Sequence, residues 1–195
     1  MNTQQTSDTI RERLLAVRCQ LGDRDAMEEL VRTWERRLLF YVRRFVTGGE
    51  DEALHVMQDV WLRVFSGISN LRDPDRLAPW LYTLTRRTLT DRLRDRYTRE
   101  QLLTSRQATD AAVSEIASAD DAGQSWFVAA EEVHYGLSRV SVVEREVLTL
   151  YFLEDLSIDE IAAVIGVPPG TVKSRLFHAR AALRNVLQRK DGPRP

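Results

Sequence analysis

At 195 residues the chain suits one large or two small domains, and a hydrophobic content of 43% is enough to build a packed core. The net charge of −1 marks no bulk polyanion binder, and a single cysteine, Cys19, excludes a disulfide framework and a cysteine metal cluster. His55, His134 and His178 match no ligand spacing, the first residues carry no signal pattern, and the longest apolar run, Val147 to Leu153, is too short for a bilayer, so no metal, no cofactor and no membrane insertion are expected, in a cytoplasmic protein.

Asp8 to Gln20 reads as a short amphipathic helix with Ile10, Leu14 and Val17 on one face, broken by Gly22-Asp23. The next helix is predicted from Asp25 to Val46, with Leu30, Trp34, Leu38, Tyr41 and Phe45 as its buried stripe. A third runs from about Asp51 to Phe65, where Leu54, Met57, Trp61, Val64 and Ile68 line one side and Gln58, Asp59, Leu62 and Arg63 fall partly on another. Gly67 to Pro79 is turn-rich and reads as a loop. A fourth helix begins near Pro79 and reaches about Arg99. Its later half carries Arg86, Arg87, Arg92, Arg94, Arg96 and Arg99 against only Asp91 and Asp95. Beside Trp80 and Tyr82, that surface suits either single-stranded nucleic acid, with stacking and phosphate contacts, or a solvated face of Arg–Asp pairs. Trp80 fits a stacking platform and a core position equally well.

Basic residues outnumber acidic ones 18 to 15 over residues 8–99 but are outnumbered 5 to 1 over residues 100–130. The acidic stretch is rich in Ala, Ser, Thr and Asp and predicts a flexible linker over 100–126. Helix resumes from about Phe127 to Leu137. Ser141 with Glu144 makes a capping box that opens a helix through Leu153, with Val143, Val147, Leu150 and Tyr151 on its buried face.

Ser157 with Glu160 makes another capping box, and Ile158, Ile161, Ala162 and Ile165 follow at helical spacing. Gly166 suits a left-handed helix end, and Pro168-Pro169 opens the next helix. There Val172, Leu176, Ala179, Leu183 and Val186 make one buried stripe, while Gly170 to Lys190 contains no Asp or Glu. A helix, a tight turn and a basic helix form the helix-turn-helix pattern, whose second helix enters the DNA major groove. Phe177 lies about 100° off the stripe, where it either meets a thymine methyl or packs on the neighbouring helix. No segment alternates at period two, so the fold class is all-α: two helical domains, 8–99 and 127–190, joined by the linker.

With those segments in place, the layout from Asp8 to Leu187 resembles a bacterial RNA polymerase sigma factor of the sigma-70 family, extracytoplasmic-function group. QDVWLRVF (Gln58 to Phe65) is similar to the region-two helix that docks on the polymerase β′ clamp, WLYTLTRRTLTDRLR (Trp80 to Arg94) to the helix that reads the minus-ten element, and GVPPGTVKSRLFHARAAL (Gly166 to Leu183) to the region-four segment for the minus-thirty-five element. The resemblance implies polymerase binding by Gln58, Asp59, Leu62 and Arg63. It implies minus-ten contacts by Trp80, Tyr82, Arg86, Arg87, Thr90 and Arg94. It implies minus-thirty-five contacts by Lys173, Ser174, Arg175, Phe177, His178 and Arg180. The implied partners are core RNA polymerase (β′ clamp and β flap), promoter DNA and an anti-sigma factor. Three positions depart from the family pattern. Arg87 stands where Asn is usual, His55 where an acid is common, and His178 where Arg is common, which implies a weaker or pH-dependent contact.

Three other functions compete. A conventional helix-turn-helix regulator has no use for the QDVWLRVF and WLYTLT pair. An enzyme needs a phosphate-cradling Gly loop, a His pair or a nucleophile signature, and none stands out. A purely protein-binding adaptor has no need of a basic Lys173 to Arg180 surface.

Overall fold

The structure is a computed structural model that describes residues 3–104 and 135–190, with side chains placed over 9–95 and 135–189. It contains helices and no strand among the described residues, and the chain divides into two compact units, Met1–Ala117 and Ser118–Pro195. Most of the predicted linker and the start of the helix predicted from Phe127 lie outside the described residues.

The first unit is built from α1 (Thr3–Gln20), α2 (Arg24–Arg43), α3 (Gly49–Gly67) and α4 (Leu77–Thr104). Gly22, at φ 80, turns the chain out of α1. Asp23 then caps α2 by accepting from the Ala26 N–H at 3.1 Å, and Arg18 pairs with Asp23 at 2.8 Å and with Glu29 at 3.1 Å. That backbone N–H, reinforced by Arg18, holds the Asp23 carboxyl below the usual carboxylate range. Two 3₁₀ turns, Ile68–Asn70 and Pro74–Arg76, occupy the predicted loop, and the Gln20 side-chain amide donates to the Leu71 carbonyl at 2.6 Å. The fourth helix starts at Leu77, two residues before Pro79, and continues to Thr104, past Arg99, through the helix formers of Arg-Glu-Gln-Leu-Leu.

Leu30, Trp34, Leu38 and Tyr41 of α2 are fully buried, as their spacing predicts. Three expectations need correction. On α1 the core takes Leu15, Ala16 and Cys19, while Ile10 and Leu14 are 62% and 59% exposed. Burial also pushes the Cys19 thiol up, away from the reactive thiolate. On α3 the buried residues are Ala53, Val56, Met57, Val60 and Val64; Leu54 is 44% exposed and Trp61 half-buried. Tyr82 is not a surface residue. It is fully buried, with its ring edge-on to Trp34 at 6.3 Å and to Tyr41 at 5.4 Å, so it has no face left for a base.

The second unit contains a helical turn at residues 135–138, α5 (Val142–Leu148), α6 (Ile158–Ile165) and α7 (Pro169–Lys190). Both capping boxes form: Ser141 accepts from the Glu144 N–H and Ser157 from the Glu160 N–H, each glutamate accepting in return. The helix predicted through Leu153 stops being α-helical at Leu148 and continues as a π turn, Thr149–Leu153. Val143 is 45% exposed and Tyr151 half-buried, so both leave the predicted buried face. Arg145 is buried, its Nε donating to the Leu137 carbonyl at 2.8 Å and its Nη2 to the Ser138 carbonyl at 3.1 Å. It thereby ties the 135–138 turn to α5, at the cost of a burial that pulls its pKa down. That turn also lies so close to α7 that a Cβ on Gly136 would stand 2.5 Å from the Leu183 side chain.

Candidate nucleic-acid interface

Gly166 ends α6 in the left-handed conformation, φ 71, and Pro169 opens α7, so the tight turn forms as the residue types require. Val172, Leu176 and Ala179 are buried along the predicted stripe. At about 100° per residue, Lys173, Ser174, Phe177 and His178 then share the opposite, solvent-facing arc, with Arg180 at its edge, and all five are exposed. Phe177 is 72% exposed, so it does not pack on the neighbouring helix. The His178 ring meets it edge-on at 5.5 Å. Arg175 lies across the buried stripe from Lys173 and is half-buried, so it stands apart from the other five.

The surface of α4 follows the same geometry. Leu81, Tyr82, Thr85, Thr88 and Leu89 form its buried side. Trp80, Arg87, Thr90 and Arg94 fall together on the opposite arc, with Arg86 at its flank. Trp80 is half-buried, its ring beside Gly67, where a Cβ would lie 3.4 Å from Cζ2. It is therefore the aromatic of this pair with a ring edge left at the surface. Arg87 and Arg94 are exposed, and the Thr90 hydroxyl donates to the Arg86 carbonyl at 2.9 Å. Thr83, on the same arc, is half-buried, and its hydroxyl donates to the Pro79 carbonyl at 2.7 Å. What stands on this surface is a line of cations beside one indole, which can meet phosphates and stack a base.

On α3 the four predicted polymerase-binding residues divide into two pairs. Gln58 and Leu62 point outward, Leu62 at 68% exposure, with Leu54 and Phe65 each 44% exposed beside them. Asp59 and Arg63 turn toward α4, where Asp59 pairs with Arg92 at 2.6 Å and Arg63 with Asp91 at 2.8 Å. Leu54 and Phe65 thus widen the apolar patch beyond the residues singled out from sequence. The pattern of α3 contained the signal, since both lie within about 80° of Leu62. Among the described residues no group of His, Cys, Asp and Glu is placed to hold a metal ion, and no helix is long and apolar enough to cross a membrane.

Two family descriptions match the chain: sigma-70 region 2 over residues 30–99 and sigma-70 region 4 over residues 130–183. The chain is 31% identical over 184 residues to the RNA polymerase sigma-H factor of Pseudomonas aeruginosa, covering 91% of this chain and 94% of that protein. It is 27% identical over 192 residues to the ECF RNA polymerase sigma-E factor of Escherichia coli K12, covering 93% and 97%. Among solved structures, the fold is similar to CnrH in complex with the cytosolic domain of CnrY, at a TM-score of 0.61 and 24% identity over 91% of this chain and 97% of that one. It is also similar to the sigma factor RpoE in complex with the anti-sigma factor NepR from Bartonella quintana, at a TM-score of 0.66 and 20% identity over 83% and 96%.

Proposed function

The chain belongs to the sigma-70 family of RNA polymerase sigma factors, and from that membership we propose that its two units divide promoter recognition between them. It is a sigma factor of the extracytoplasmic-function type, which directs core RNA polymerase to specific promoters to initiate transcription. Residues 127–190 hold the minus-thirty-five duplex and residues 8–99 hold polymerase and the minus-ten strand, with 100–126 as the tether. The observation that carries this division is the outward arc of α7. It is free of acidic residues and presents Lys173, Ser174, Phe177, His178 and Arg180 together beside a fully capped helix and turn.

Each surface has a physical task. Gln58 and Leu62 offer the β′ clamp an apolar and hydrogen-bonding patch, and Asp59 and Arg63 present the exposed side of their ion pairs to it. On α4, Arg86, Arg87 and Arg94 meet the phosphates of the non-template strand, with Thr90 beside them. Trp80 stacks against a base taken out of the helix, a step that costs a few kcal/mol and that stacking offsets in part. On α7, Lys173 and Arg180 meet duplex phosphates and Ser174, Phe177 and His178 face base edges, while half-buried Arg175 reaches the backbone from the flank. The β flap contacts the second unit, and an anti-sigma factor covers the polymerase-facing and DNA-facing surfaces in the inactive state. None of these tasks is catalytic, and all are performed in the cytoplasm, where polymerase works.

A conventional regulator is the second reading. The exposed Leu62, Leu54 and Phe65 of α3 form a protein-binding type of surface, which polymerase docking uses and duplex binding by itself does not require. Run-off transcription separates the two. Purified protein with sigma-free core polymerase and a promoter library should yield transcripts that start a fixed distance downstream of a shared two-box sequence. Lys173→Ala should weaken use of the upstream box and Arg87→Ala use of the downstream one. Duplex binding without any affinity for core polymerase would instead establish the regulator.

A further inference from the structure

Between α5 and α6 the chain makes the π turn Thr149–Leu153, closed by the Glu154 N–H on the Thr149 carbonyl at 3.1 Å. Such local expansions of a helix recur at functional sites. Here two successive rings, Tyr151 and Phe152, stand edge to face at 4.9 Å. Both meet the guanidinium of Arg180 on α7, at 5.3 Å and 5.0 Å from their centroids. Phe152 is nevertheless 55% exposed, so packing alone does not account for its position. Arg180 is itself exposed and shares one strip of α7 with Lys173, Phe177 and Arg184.

The guanidinium has two usable surfaces. Its flat face is attracted by the negative face of an aromatic ring, and its N–H donors lie in the plane and stay free for a phosphate. An unheld arginine side chain must lose its rotamer freedom when it binds, which weakens the contact. We propose that Phe152, with Tyr151, is a positioning residue that holds the Arg180 guanidinium ready for a DNA phosphate. The proposal rests on the reading of α7 as the promoter-binding helix, and it adds to that reading a pair of aromatics outside the helix-turn-helix.

The test uses holoenzyme reconstituted from the full chain and core polymerase, bound to a promoter duplex found by run-off transcription. Phe152→Leu keeps apolar volume but removes the ring, and it should weaken binding roughly two- to fivefold. Because the charge on Arg180 remains, the slope of log affinity against log salt should stay that of the wild type. Phe152→Tyr, which keeps the ring, should restore affinity. Arg180→Ala should weaken binding and lower the salt slope by about one. Adding Phe152→Leu to Arg180→Ala should then cost nothing further. Wild-type affinity in Phe152→Leu, an equal loss in both Arg180 backgrounds, or failure of Phe152→Tyr to rescue would each overturn the proposal. So would an Arg180→Ala holoenzyme that binds normally; in that case promoter-directed transcription by the wild type would still stand, which separates failure of this proposal from failure of the sigma-factor reading.

Discussion

Tyr82 and Arg87 test the two sides of one helix. Tyr82 is fully buried against Trp34 and Tyr41, so Tyr82→Ala empties an aromatic site in the core of the first unit. Loss of a buried aromatic costs about 3–5 kcal/mol, which is a large part of a domain's stability. Arg87 is exposed, so Arg87→Ala should change stability by no more than about 0.5 kcal/mol while weakening minus-ten use. Urea unfolding of both variants checks this. A stable Tyr82→Ala protein defective only in promoter opening would show that the ring acts on DNA after all. The sequence alone left Trp80 and Tyr82 open, because a two-residue step along a helix is about 200° and either ring could face inward. Which one does is decided by where the helix lies on α2, and that follows from Trp34 and Tyr41, more than 40 positions away in the chain. The cationic surface of α4 was legible because charge stays outside wherever the helix lies.

At the scale of elements, the caps of the second unit were legible to the residue, since Ser157, Glu160 and Gly166 act through local backbone groups. Gly166 gives a clean prediction. Its φ is 71 and nothing lies within 4 Å of a Cβ placed there, so Gly166→Ala meets no clash and pays only for the left-handed backbone. That should destabilise the second unit by about 1–2 kcal/mol, read as a lower thermal midpoint, and loosen the angle at which α7 leaves the turn. An unchanged midpoint would mean that the turn relaxes to another conformation without loss. Two other elements were not legible. α1 carries two apolar stripes, Ile10 with Leu14 and Leu15 with Ala16 and Cys19, and periodicity alone cannot say which of them is buried. The π turn has no residue signature either. Thr149 to Leu153 is an ordinary apolar run, and its widening appears in the backbone, where the Glu154 N–H reaches the Thr149 carbonyl. The aromatic contact to Arg180 was hidden for that reason.

Over the whole molecule, a net charge near zero conceals an uneven distribution: Gly170 to Lys190 carries cations and no acid, while α4 carries its arginines among a few aspartates. The two surfaces proposed to meet DNA belong to different compact units. Free-energy changes at sites without shared partners add to within about 0.5 kcal/mol. Arg87→Ala and Lys173→Ala should therefore weaken equilibrium promoter binding by the holoenzyme independently. The factor for the double variant should equal the product of the two single factors to within about twofold, since 1.36 kcal/mol is a factor of ten. Within the second unit, by contrast, Phe152 and Arg180 act through one guanidinium and should not add. Contrast between the two double variants is the informative result, because both are measured on one promoter in one assay. Loss of the product rule for Arg87 and Lys173 would mean that the two boxes are engaged in a single coupled step, with polymerase rather than the tether passing the energy from one to the other.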